Sequence, residues 1–173
     1  MPLSPKTDRI ISSVLFLGLC VLSFWMIGWF QPNHDYKAKA VIYKPSIFVY
    51  EALQDSSRLK SWWTDWAGSD PINDSAHVMR EIIDEEKSEF VLTDRIAWPG
   101  ILLTYGYEDA EKKGSLEYRL EYMGDSTRVT LRHRTRGYTW IQRSLLALRY
   151  TDDKLRWRRY LYNFKRMMEN DSI

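Results

Sequence analysis

At 173 residues and a formal charge of +2, the chain has room for one well-cored domain beside a membrane segment. It is too near neutral for a dedicated nucleic-acid binder. Its single cysteine, Cys20, excludes an intrachain disulfide. The histidines His34, His77 and His133 lie far apart without metal-ligand spacing, and neither a glycine-rich phosphate loop nor a G-x-S-x-G elbow occurs. No metal, cofactor or catalytic residue is expected.

Residues 1–9 form a short polar tail. Ile10 to Phe30, IISSVLFLGLCVLSFWMIGWF, then runs without a charged residue. At about 1.5 Å rise per residue a helix of this length spans roughly 30 Å, the thickness of a bilayer hydrocarbon core. A cleaved signal peptide has a shorter apolar core and a small-residue cleavage site, whereas this run continues through Trp25, Met26, Ile27, Trp29 and Phe30. Leu19 before Cys20 argues against a lipoprotein site, and the uniform apolarity argues against a buried core helix. Trp25 and Trp29 sit where indole rings favour a membrane–water interface. The segment is therefore expected to be a single-pass anchor. Lys6 and Arg9 lie closer to it than Lys37, Lys39 and Lys44. That favours a cytoplasmic N-terminus and a periplasmic domain on a bacterial inner membrane.

Residues 31–35 read as a turn-forming linker, and residues 36–170 as the domain. Tyr36 to Tyr43 alternates as a half-buried strand. Lys44-Pro45-Ser46 ends it, and Ser46 is expected to cap a helix through Phe48, Val49, Ala52 and Leu53. A second short helix is predicted over Ser56 to Trp63, leading into the cluster Trp62, Trp63 and Trp66. Strands are predicted around Val78–Ile83, Phe90–Ile96 and Ile101–Tyr107. Leu116, Tyr118, Leu120 and Tyr122 alternate with charged residues, as do Val129, Leu131 and His133 after the turn Met123-Gly124-Asp125-Ser126. That is an antiparallel hairpin. Trp157, Leu161, Phe164 and Met168 then fall on one helical stripe. The order predicts an α+β domain in which a curved antiparallel sheet wraps a long C-terminal helix.

Four stretches in this order resemble the START-like superfamily, also called the SRPBCC or polyketide cyclase/dehydrase-like group. They are the opening strand, proline and helix from Asp35 to Asp55; WWTDWAGSDP from Trp62 to Pro71; GDSTRVTL from Gly124 to Leu131; and LYNFKRMME from Leu161 to Glu169. An apolar anchor ahead of such a domain is similar to a recurring bacterial subgroup. The chain departs from the group in PINDSAHVMREIIDEEKSEF, Pro71 to Phe90, which is acidic and lacks glycine. The resemblance implies a helix-grip fold with a cavity between the sheet and the long helix. It also implies binding of a lipid or other apolar small molecule. The superfamily shares no single catalytic motif, so no active site carries over.

In that fold Trp98, Tyr105, Tyr107, Tyr118, His133, Trp140 and Trp157 are the expected ligand-lining residues, although ordinary packing predicts the same aromatics. His133 shares the inward face of Val129 and Leu131, either as a hydrogen-bonded core histidine or as a polar anchor in an apolar cavity. Arg128, Arg132, Arg134 and Arg136 could meet an anionic surface, or pair across the sheet with Glu117 and Glu121. Gly137 to Tyr150, GYTWIQRSLLALRY, suits a bilayer interface or protein partner, or else forms a loop and helical turn over the cavity mouth. Three functions follow: a membrane-anchored ligand-binding domain, an accessory subunit of a membrane protein complex, or an enzyme acting on a hydrophobic substrate through His133 and Asp94.

Overall fold

The computed structural model describes residues 5–31 and 33–170, with positions 5–8, 94 and 95 by backbone alone. Helix α1 (Pro5–Phe30) leads into strand β1 (His34–Ile42). Next come α2 (Ser46–Gln54), a 3-10 turn over Ser56–Arg58 and the short α3 (Leu59–Trp62). Strands β2 (Trp66–Asn73), β3 (Ala76–Ile83), β4 (Glu86–Trp98), β5 (Leu102–Glu108), β6 (Lys112–Tyr122) and β7 (Thr127–Gly137) follow, and α4 (Trp140–Asn170) ends the chain.

The strands form one antiparallel sheet in the order β1-β7-β6-β5-β4-β3-β2. The first strand thus pairs with the last, and everything between is a meander. α4 lies across β1 and β7 and against α3, which is the helix-grip arrangement. Its stripe of Trp157, Leu161, Phe164 and Met168 is buried as the spacing requires. The facing positions of the hairpin, Leu116, Tyr118, Leu120, Val129 and Leu131, are buried with it. β1 begins two residues before the alternation places its start, because His34 and Asp35 pair with Thr135 and Arg134.

Four local expectations need correction. Ser46 does not cap α2: Pro45 holds the cap position without a side-chain bond. Asp55 is the working cap, accepting from the backbone N–H of Ser57 at the following turn. β2 was not foreseen, since Gly68, Asp70 and Pro71 are poor strand formers; it is an edge strand, where a missing N–H is tolerated. Residues from Trp140 to Tyr150 are not a loop but the first turns of α4. The arginine stripe pairs only in part as expected. Arg128 meets Glu121 at 3.0 Å, whereas Arg132 turns to Asp35 on β1.

The acidic stretch without glycine becomes the β3–β4 hairpin. Ile83 pairs with Glu86, leaving a two-residue turn in which Asp84 and Glu85 both have positive φ, 50° and 71°. Such a turn favours glycine because a Cβ costs roughly 1–2 kcal/mol in the left-handed region. Glu85→Gly is therefore expected to raise folding stability by about 1 kcal/mol, read as a higher urea midpoint with an unchanged slope.

Candidate functional site

The space between the sheet and α4 is filled by rings. His133 is stacked between Tyr107, at 5.1 Å between ring centres, and Trp157, at 4.6 Å. Trp157 in turn meets Trp63 and Tyr160 edge-on, and Trp63 lies over Phe90. The six rings arrive from five stretches of the chain. Tyr107 comes from β5, His133 from β7, Phe90 from β4, Trp63 from the end of α3, and Trp157 and Tyr160 from α4. What remains open is a void of about 40 Å³ walled by Trp63, Phe90, Leu92, Tyr107, Leu116, His133 and Trp157. A water molecule occupies about 30 Å³ in the liquid, and pockets for drug-sized ligands run to roughly 300–1,000 Å³.

One side of this void is polar. Glu81, Asp109, Lys112 and Arg156 reach it. Glu81 is buried, takes a hydrogen bond from Trp63 Nε1, and has the Tyr160 hydroxyl 3.4 Å away. Tyr160 has one proton to give, and it goes to Asp65 Oδ2 at 2.7 Å, which Arg159 also approaches. Burial therefore pushes the Glu81 carboxyl up, against the opposing pull of Arg156 and the Trp63 hydrogen bond. Arg156 is held by Asp153 at 2.8 Å. Two buried donors on residues that wall the void have no hydrogen-bond partner, Trp157 Nε1 and Arg156 Nε, whereas the Tyr107 hydroxyl lies against Gly114 beside the Thr135 side chain.

Burial, with Lys112 and Arg156 adding to it, lowers His133 to about 3. It is therefore neutral across the physiological range, a ring stacked between rings. The sign for stability follows. Below the ordinary histidine value near 6.5 the unfolded chain takes up a proton that the folded chain refuses, so stability falls as pH drops from about 6.5 toward 3. Glu81 acts oppositely: its raised value favours the folded state in acid and costs stability once pH rises through it. Replacing His133 with phenylalanine should flatten the fall between pH 6.5 and 4 in urea-melt midpoints. An unchanged slope would place the titration elsewhere.

Of the aromatics expected to line a cavity, Tyr107, His133 and Trp157 meet at the void. Tyr118 is buried in the adjoining core, and Tyr105 packs against that core partly exposed. Trp98, at the end of β4, is 58% exposed, and Trp140, at the start of α4, sits against Phe24 of α1. The Asp94 side chain lies outside the described residues. Trp63, singled out in the sequence only as part of an aromatic cluster, and Asp65, Glu81, Arg156 and Tyr160 are not among the residues expected to line the cavity. Glu81 did leave a trace, as a charged residue two positions after the buried Met79 and so on the same inward face of β3. A larger groove of about 670 Å³ crosses the opposite sheet face past Asp35, Thr93, Ser115, Lys113 and Arg134. It is open to solvent and lined by polar and apolar groups alike. Among the described residues no group of three histidine, cysteine, aspartate or glutamate side chains could hold a metal ion.

No protein-family model and no curated protein matches the sequence. Solved structures match through their fold. A protein from Thermus thermophilus superposes with a TM-score of 0.68 at 14% identity, covering 81% of this chain and 100% of its own. A START superfamily protein from Mycobacterium smegmatis gives 0.55 at 10% identity, covering 75% and 99%. An aromatase/cyclase from Streptomyces sp. R1128 gives 0.62 at 10% identity, covering 82% and 99%. The fold is START-like. In this START-like domain aromatic rings narrow the space between the sheet and α4 to that small void.

Ahead of the START-like domain, Arg9–Phe30 of α1 has a mean hydropathy of 2.4 over its most apolar window. Among the described residues it is the one helix long and apolar enough to cross a membrane. Its side chains are exposed over most of their length. They become partly buried at Phe24 and Trp25 and fully buried at Gly28, where α1 meets α4.

Proposed function

We propose that the chain is a single-pass membrane protein, with residues 10–30 as the anchor. Its START-like domain, residues 36–170, binds a small apolar molecule bearing an acceptor oxygen. The observation that supports this reading is that two residues walling one aromatic void, Trp157 and Arg156, each carry a buried donor without a partner, Nε1 and Nε. An unsatisfied buried donor costs about 1–3 kcal/mol. A ligand carbonyl or carboxylate oxygen placed among them would remove that cost, while Trp63, Phe90, Leu92 and Leu116 cover its apolar body. Only a few atoms fit the void as it stands, so a lipid-sized ligand must turn the Trp157 or Phe90 ring aside. Lys6 and Arg9 beside the apolar run support a cytoplasmic N-terminus and a periplasmic domain.

The test is native mass spectrometry of the full chain purified in mild detergent, with the bound fraction extracted and identified. A stoichiometric apolar molecule is expected, and Trp157→Phe, which keeps a ring but removes the indole donor, should weaken its retention about tenfold, the effect of one hydrogen bond in a buried site. A chain that carries nothing and takes up no lipid from vesicles overturns the reading. The small void favours a second reading, an accessory subunit that docks on a membrane protein complex through its exterior. A stoichiometric protein partner co-purifying with an empty interior would establish it.

A further inference from the structure

The last two turns of α1 lie against the first two turns of α4, and the contact is built for closeness. A Cβ on Gly28 would stand 2.3 Å from the Trp140 carbonyl oxygen and 2.5 Å from Ser144 Oγ, so only glycine lets the two backbones approach this far. Ser144, fully buried, donates its hydroxyl to the Phe24 carbonyl at 2.6 Å. The rings of Phe24 and Trp140 meet edge to face at 6.2 Å. Beyond the contact the chain leaving α1 keeps company with α4, because the His34 and Tyr150 rings lie 5.7 Å apart, tilted, and the Tyr150 hydroxyl donates to the Asp35 carbonyl at 3.2 Å. Hence α4 starts beside the interior of the apolar run and leads outward with the chain.

That fixes a depth. Phe24 precedes the end of the apolar run by six residues, which is about 9 Å along a helix. Trp140 and Ile141 therefore sit deepest, Leu145 is shallower, and Leu148 lies near the level where α1 ends. The side of these turns that α1 leaves uncovered is apolar: Ile141, Leu145 and Leu148, spaced i, i+4, i+7, are 46%, 42% and 64% exposed. The start of the helix does not depend on water for its polar groups either. Thr139 and Gln142 form a reciprocal capping box, and Arg143 covers the Gly137 carbonyl. Arg149 follows at the level where headgroups begin.

We propose that α4 begins inside the bilayer: its turns from Trp140 to Leu148 share a leaflet with the end of α1, and the Ile141–Leu145–Leu148 stripe faces acyl chains. This rests on α1 spanning the membrane. The domain is then wedged into the lipid surface rather than hung from it, and the helix that closes the grip has its root among lipids.

The test uses the full chain with Cys20→Ala and one added cysteine, at Ile141, Leu145 or, as control, the exposed Leu155. Each is labelled with an environment-sensitive fluorophore and placed in nanodiscs of phosphatidylcholine and phosphatidylglycerol, with or without lipid carrying a nitroxide near the headgroup end of the chain. Nitroxide lipid should dim the probes at 141 and 145 by about twofold or more, since an interfacial helix lies roughly 5–10 Å below the headgroup boundary, and leave the probe at 155 unchanged. Discs that hold the protein while the probes at 141 and 145 behave like the one at 155 overturn the inference and leave the anchor intact. A chain that does not enter discs, or is stripped from vesicles by alkaline carbonate, overturns the anchor and the inference together.

Discussion

Trp157→Ala is expected to lower folding stability by about 3–5 kcal/mol, the range for deleting a large buried aromatic from a core that cannot collapse around the gap. Trp157 is 7% exposed and touches His133, Trp63 and Tyr160 at once, so its removal unstacks three other rings. The neighbours come from β7, the end of α3 and α4 itself, elements each held by its own main-chain bonds, which limits how far they can close in. Urea denaturation of the full chain in detergent would measure the loss as a lower midpoint. A change under about 1 kcal/mol would mean that the ring stack is loose enough to relax, contrary to the close packing described for it. The same substitution opens the void. Added indole should bind there and recover part of the stability by mass action, which distinguishes a vacated site from a rearranged one.

Gly28→Ala carries the second large effect, and its direction decides between two pictures of α1. In an exposed, unpacked helix, alanine in place of glycine stabilises by about 1 kcal/mol. Packed as it is here, the new methyl must displace a main-chain carbonyl, which costs about 1–3 kcal/mol because a backbone atom cannot rotate away. Hydrogen exchange reads this locally. The amides around Ser144 and Leu145 should lose protection about tenfold, while those around Leu161 and Phe164, at the far end of α4, keep theirs, since one tenfold step corresponds to about 1.4 kcal/mol of opening. Rising protection near Ser144 would show that α1 and α4 do not touch.

Sequence revealed the parts of this fold that answer to periodicity. The hairpin of β6 and β7 declares itself by alternation around Gly124, and the buried stripe from Trp157 to Met168 by its helical spacing. What periodicity could not convey was where one pattern hands over to another. The segment from Trp140 to Tyr150 carries apolar residues on two sides, one for α1 and one exposed, so it has no single stripe to read. β2 failed for the opposite reason: its glycine, aspartate and proline disguise a strand that survives because it has a neighbour on one side alone. The site was half visible. Tyr107, His133 and Trp157 follow from alternation and spacing, but whether aromatics enclose a cavity or fill it depends on tenths of an ångström in packing that no pattern encodes. Glu81, Asp65 and Tyr160 come together from three distant stretches, and only the sheet register and the position of α4 join them.

α4 is one uninterrupted helix of 31 residues, about 46 Å long. Ser144, at its contact with α1, and Trp157, in the ring stack, stand thirteen residues apart on the same rod, roughly 20 Å. A helix scarcely stretches along its axis, so any axial displacement of α1 that Ser144 follows is delivered to Trp157 with little loss. Transmission of that kind ends at the ring stack, so, with residues 10–30 spanning a membrane as proposed, thinning or bending of the lipid would reach the packing of His133, Trp63 and Tyr160 around Trp157.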